Sequence, residues 1–213
     1  MRDFPVFPTE TGVSSLTLRQ IPYTGKAYIR IQSAATEGFS AHLEACLDFC
    51  RAAGAAEVFA SGHEDLARYP LYTAVLELRG TAWRDPEKLQ NLFPVTEPTV
   101  GRFREYLNRR MAQVDCASYL EARDEQTILS SGGAYFVHRN GQLLGVGWLE
   151  DGKLLALATE PGQGETVCHS LMSIVEGQTL AIEAADTNHR ALRLYEKLGF
   201  VPVREVTRWY RVV

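Results

Sequence analysis

The chain has no CxxC pair. Its four cysteines, Cys46, Cys50, Cys116 and Cys168, are scattered through 213 residues. That removes the usual zinc-knuckle and thioredoxin-like spacings, and a chain of this size needs no disulfide staples, so a reducing compartment is expected. A basic excess is also missing. With 22 Lys and Arg against 26 Asp and Glu, the formal charge is -4, which gives no electrostatic footprint for nucleic acid or an anionic membrane. No run approaches the roughly 18 apolar residues of a membrane span, and "MRDFPVFPTETGVSS" has no apolar signal-peptide core. The expectation is a soluble cytoplasmic protein with neither nucleic acid nor membrane as partner.

What is present fits a globular chain. Hydrophobic residues make up 46% and charged residues 23%, enough for one large or two small domains with a real core. His42, Cys46 and Cys50 fall at i, i+4 and i+8, where a helix would align them as metal ligands. Phe39, Leu43 and Leu47 share that face, however, and free cysteine is among the most often buried residue types. The face therefore reads as core, and no metal site is expected.

Two regions are separated by prolines. In the first, "KAYIRIQSAATEG" reads as a strand, and "FSAHLEACLDFCRAAG" as a helix with Phe39, Leu43, Cys46, Leu47 and Cys50 on one stripe and Gly54 as its stop. "EVFAS", "EDLARY" and "YTAVLELRG" continue as strand, short helix and strand, an α/β signature. Pro86, Pro94 and Pro98 interrupt any period. The expected domains are residues 1–90 and 91–213.

Beyond the prolines, "VGRFREYLNRRMAQV" and "ASYLEARDEQTIL" read as helices. "GAYFVHRNGQLLGVGWLEDGKLLALATEP" holds three β-rich runs joined at Asn140-Gly141 and Asp151-Gly152, dipeptides suited to primed turns, and predicts an antiparallel meander. Its last strand runs into "GQGETVCHSLMSIVEG", a helix with Val167, Leu171, Ile174 and Val175 as its buried stripe and Gly162 and Gly164 at its start. A strand, a glycine-bearing loop and a helix start can bind an anion, though glycines stand there for steric reasons too. "QTLAIEAAD" reads as a buried strand. "NHRALRLYEKLGF" then gives a helix capped by Asp186, Thr187 or Asn188, stopped by Gly199, with Ala191, Leu194, Tyr195 and Leu198 inward. A core tyrosine would account for Tyr195 on its own. "FVPVREVTRWYRVV" supplies one or two closing strands.

Taken in order from about residue 100, these parts resemble the GNAT superfamily of acyl-CoA N-acyltransferases. The most specific element is N-x-x-A-x-x-x-Y-x-x-x-G-F at Asn188, Ala191, Tyr195, Gly199 and Phe200. The resemblance implies an α/β fold with a mixed, mostly antiparallel central sheet flanked by helices, and acetyl-CoA as acyl donor. It implies that Leu157, Ala158 and Thr159 hold the pantetheine arm through their backbone. The pyrophosphate loop would comprise Gln163, Gly164, Glu165, Thr166, Val167 and Cys168. Thr166 replaces the family's central glycine there, Cys168 replaces its last small residue, and Glu165 brings a negative charge. Asn188 would touch the pantetheine or the loop's end, and Tyr195 would be the general acid that protonates the departing thiolate. Glu183 is the nearby carboxylate best placed to act as base through water, although a solvent-facing strand-end role fits it equally.

The first region, with "AATEGFSAHLEACL" echoing "LATEPGQGETVCHSLM", is expected to be an α/β lobe resembling a partial GNAT repeat without the glycine loop and tyrosine motif. The implied activity is acetyl transfer to a primary amine, on a small molecule or an exposed amino group. The alternative is a non-catalytic acyl-CoA-binding or protein-interaction module on the same fold. A homodimer is left open.

Overall fold

The computed structural model describes residues 6–112, 114–117 and 119–213. The chain divides into two compact units, Met1–Ala74 with Val206–Val213, and Val75–Glu205.

The first unit begins with a hairpin, β1 (Val6–Thr9) and β2 (Gly12–Thr17), and a single helical turn, α1 (Ile21–Thr24). Then follow β3 (Lys26–Ala34), α2 (Phe39–Ala52), β4 (Glu57–Ser61) and the start of β5 (Leu71–Thr81). The end of β11 (Val201–Arg211) completes it, pairing antiparallel with β4 at Tyr210↔Ala60. β3 and β4 run parallel in unbroken register from Lys26↔Glu57 to Arg30↔Ser61. The connecting helix α2 buries Phe39, Leu43, Cys46, Leu47 and Cys50 against Ile29, Ile31, Val58 and Ala60. The stripe read from the sequence is thus the core stripe, as the 3.6-residue period requires.

His42 lies in this core as well, fully buried. Its Nδ1 is 2.7 Å from Thr9 Oγ1 and its Nε2 2.7 Å from Ser14 Oγ, with Cys46 Sγ at 3.8 Å. Both ring nitrogens are satisfied, which is the condition for burying an imidazole at tolerable cost. Burial lowers its pKa from the ordinary value. "EDLARY" forms a 3-10 turn, Glu64–Arg68.

The second unit holds the rest of β5, a 3-10 turn at Pro86–Lys88, β6 (Asn91–Pro94), α3 (Val100–Met111) and α4 (Glu125–Ser131). The meander β7 (Ala134–Arg139), β8 (Gln142–Glu150) and β9 (Lys153–Thr159) follows. Then come α5 (Gly164–Met172), β10 (Thr179–Ala185), α6 (His189–Lys197) and the first half of β11. The strands lie in the order β5-β10-β9-β8-β7-β6. Among the pairs β5–β10, β10–β9, β9–β8, β8–β7 and β7–β6 of this unit, only β9 and β10 run parallel. The expected turns are in place: Asn140, Gly141, Asp151 and Gly152 all have positive φ.

This sheet is covered on both faces. α5 and α6 press Val167, Leu171, Tyr195 and Leu198 onto Leu78, Leu154, Leu180 and Ile182. α3 and α4 press Phe103, Leu107 and Ile128 onto Phe136, Val146 and Ala158. α5 sits so close to β8 that a Cβ on Gly147 would lie 2.2 Å from Leu171 Cδ1.

Two expectations need correction. "ASYLEARDEQTIL" is helical only from the 3-10 turn Ala122–Asp124 onward. Before it Leu120 is held by the buried Asn108 side chain, which donates to its carbonyl at 2.8 Å and accepts from its amide at 2.9 Å. Parts of both predicted helices, Gln113 and Ser118, lie outside the described residues. Ile174 is 41% exposed, because the helix tightens to a 3-10 turn at Ser173–Val175 and its angular step changes.

Candidate active site

β9 and β10 begin together and then part. They pair only at Ala181↔Lys153 and Ile182↔Leu154, although each strand has seven residues. The cause is visible on the other edge of β9. Against β8, Leu149 pairs with Leu154 while Trp148 pairs with Ala156, so Leu155 is an extra residue. Such a bulge bends and twists its strand, and here it comes where β9 leaves β10.

Leu157, Ala158 and Thr159 therefore occupy a stretch of β9 that is paired on one side, with Gly147, Val146 and Gly145 of β8. Across the opening lie residues 183–185 of β10. Main-chain groups along such an edge can bind an extended amide-bearing ligand as a strand would. The Ala158 side chain packs in the α3 and α4 core, so only its backbone is available.

Both diverging strands lead to helix starts. β9 passes through residues 160–163 into α5, whose cap residue Gln163 makes no side-chain cap bond. Val167 N–H donates to the Gln163 carbonyl at 2.9 Å. Ahead of it, the N–H groups of Gly164, Glu165 and Thr166 have no acceptor among the described residues, as helix geometry dictates. They point with the positive end of the helix dipole. Gly164 has a packing reason: a Cβ there would meet Leu194 Cδ2 at 2.9 Å.

Each end of the loop carries a carboxylate held by side chains from elsewhere. At Glu160, Tyr106 Oη donates at 2.8 Å and Arg110 forms an ion pair, and both hold its carboxyl below the usual range. At Glu165, Lys197 Nζ stands 2.6 Å from Oε2 and Lys88 Nζ contacts Oε1. These two lysines bring its pKa down to about 2. None of the four partners was singled out from the sequence. Lys88 is 77 residues from Glu165, beyond any local pattern, while Lys197 lies inside the "YEKLGF" run itself.

Tyr195 is buried in the α5 and α6 core, 6% exposed, its ring 6.3 Å from that of Phe200. Its hydroxyl makes no hydrogen bond among the described residues. Burial, with the nearby Cys168, raises its pKa well above the ordinary phenol value. Burial likewise pushes the Cys168 thiol up to about 12, so neither group is ionised at neutral pH. A cavity of about 10 Å³ lies beside Cys168, lined also by Leu154, Ile182 and Leu198 among others, room for one water at most.

Asn188 caps α6, its Oδ1 accepting from Ala191 N–H at 3.2 Å. At the other end, Gly199 takes φ 85° and Phe200 N–H closes back on the Tyr195 carbonyl at 2.9 Å. Glu183 is exposed on β10, opposite Glu77 of β5. Glu77 is buried and neutralised by Arg79 at 2.6 Å and Arg204 at 2.8 Å. The structure thus brings the β9 edge and the α5 start to one end of the splayed strands, and sets Tyr195 in the core under them.

No protein-family model matches the chain, and no curated protein matches it in sequence. Solved structures do. A GCN5-related N-acetyltransferase from Sphaerobacter thermophilus is 10% identical with a TM-score of 0.59, over 94% of this chain and 76% of that one. A GCN5-related N-acetyltransferase from Kribbella flavida is 14% identical at TM-score 0.55, over 100% and 91%. A functionally unknown conserved protein from Staphylococcus epidermidis is 11% identical at TM-score 0.58, over 98% and 93%. The fold is the one found in these GCN5-related N-acetyltransferases. No helix of the described residues is long and apolar enough to cross a membrane.

Proposed function

We propose that the chain is an N-acetyltransferase that moves an acetyl group from acetyl-CoA to a primary amine, with the second unit as its working half. The observation that carries this reading is the early parting of β9 and β10, which opens a strand edge ending at an uncapped helix start.

The residues present fit such a cofactor. Leu157, Ala158 and Thr159 would hold the pantetheine amides through their main chain, Gln163 would border the loop, and the N–H groups of Gly164, Glu165 and Thr166 would hold the diphosphate. Thr166, where a glycine would be the least crowded choice, adds a hydroxyl donor. Asn188, engaged as the α6 cap, serves by fixing the helix that carries Tyr195. Acetyl-CoA, when bound, supplies the activated acyl carbon.

The chain's own part is to orient and to manage protons. Tyr195 keeps its proton on Oη throughout the physiological range, because burial disfavours the phenolate. That proton is held for the thiolate that leaves, a general-acid role typically worth 10²–10⁴-fold. Glu183, exposed and without an ion pair among the described residues, is the carboxylate we assign to relay the amine's proton through water.

A second reading is a non-catalytic acyl-CoA-binding or protein-interaction module. One observation favours it: the Glu165 carboxylate already engages the two cations beside the helix start. Calorimetry with CoA together with turnover of Tyr195→Phe separates the two. An enzyme loses rate at unchanged CoA affinity; a binding module shows no turnover to lose. Absence of heat at millimolar CoA removes both.

A further inference from the structure

The charge that should repel a diphosphate lies at the start of α5, yet it is the most strongly paired carboxylate near the loop. Glu165 is in the first turn of a nine-residue helix, where the dipole favours an anion. Lys88 reaches it from the 3-10 turn after β5, and Lys197 from the last turn of α6. Two lysines from separate elements converge on one carboxylate beside three unoccupied N–H donors. Side-chain exposure is 24% for Glu165, 35% for Lys88 and 65% for Lys197, so both cations can be reached from solvent. Lys88 also faces Asp85 at 3.5 Å.

The geometry points to Glu165 as an internal stand-in for the diphosphate of the cofactor: it holds Lys88 and Lys197 in place, and they pass from its carboxylate to the phosphate oxygens on binding. The inference rests on the acyl-CoA reading above and adds to it the two residues that supply the positive charge. It also gives a reason for a glutamate in a phosphate-binding loop. A lysine left without an anion here would spread over its rotamers, whereas one held by Glu165 is already positioned. The cost is competition. The diphosphate must displace a carboxylate, so affinity is set by the difference between two anions.

The test is isothermal calorimetry of the full chain with CoA and, separately, with inorganic pyrophosphate. Wild type, Glu165→Gln, Lys88→Gln and Lys197→Gln are compared at low and high salt. Glu165→Gln should bind CoA about tenfold more tightly, and each lysine variant about tenfold more weakly with a shallower salt dependence. Lys197→Arg should restore affinity. Lys197 is exposed, so its variants test the idea even if Glu165→Gln unfolds. Tighter CoA binding by Glu165→Gln than by wild type supports the stand-in. Wild-type binding that none of the variants changes overturns it and leaves the acyl-CoA reading intact. No heat from wild type or Glu165→Gln overturns both.

Discussion

The two units share a wiring and differ in how tightly it is closed. In each, an antiparallel hairpin leads to a strand, a helix and a second, parallel strand: β3, α2 and β4 in one, β9, α5 and β10 in the other. β3 and β4 stay in register from Lys26↔Glu57 to Arg30↔Ser61, whereas β9 and β10 separate after Ile182↔Leu154. The helix starts differ in the same sense. α2 is preceded by a 3-10 turn that consumes the Gly38 and Phe39 amides, and Phe39 is buried beneath His63. α5 has no 3-10 turn ahead of it, and neither helix has a side-chain cap. Closure removes unsatisfied main-chain groups, so the first unit is the cheaper solution for a fold. The second leaves such groups open to water or to a ligand.

The sharpest way to break this contrast is to close the second unit. Deleting Leu155 removes the bulge, lets β9 stay beside β10, and should abolish CoA heat in calorimetry; wild-type affinity in that variant would detach binding from the splay. Next is Leu43→Ala on α2, which should cost the first unit roughly 2–5 kcal/mol in denaturant unfolding. CoA affinity measured where the protein remains folded should hold. Tyr195→Phe should slow acetyl transfer about 10²-fold, about 2.7 kcal/mol of barrier, at unchanged CoA affinity and melting temperature, because the hydroxyl has no partner to lose. Asn188→Ala should cost about 1 kcal/mol as a lost cap, measured by thermal unfolding. The smallest effect is on pH. His42 has its folded pKa below 6.5 through burial, so the unfolded chain takes up the proton first. Its contribution to stability is complete above pH 6.5 and declines as pH falls through the folded pKa. His42→Gln should lack that component in unfolding curves taken from pH 7.5 to 5.

What the sequence made legible was local. α6 could be read nearly whole, with its cap narrowed to Asp186, Thr187 or Asn188, Tyr195 inward and Gly199 at the stop, because each of these follows from spacing along one helix. The meander was equally plain, since Asn140-Gly141 and Asp151-Gly152 specify their own turns. The hairpin β1 and β2 and the edge strand β6 passed unread, being four to six residues long and without a strong alternation. The splay could not be read from residues alone. It depends on the register of β9 against both neighbours, and one shifted pair at Leu155 decides it. The lysines at Glu165 were hidden for the same reason: Lys88 and Lys197 come to it through the tertiary fold, and a negative residue in an anion loop looked like a defect while its partners were out of view.

The final strand has a consequence for how the chain is made. The first unit needs Val206–Val213, where Tyr210 and Val212 pack onto its core, yet the whole second unit is synthesised between its two pieces. At about 5–20 residues per second, that interval is on the order of 10 s. During it β4 has an open edge, a template for the wrong partner. The short length of β4, five residues, limits what such an edge can recruit before its own strand arrives.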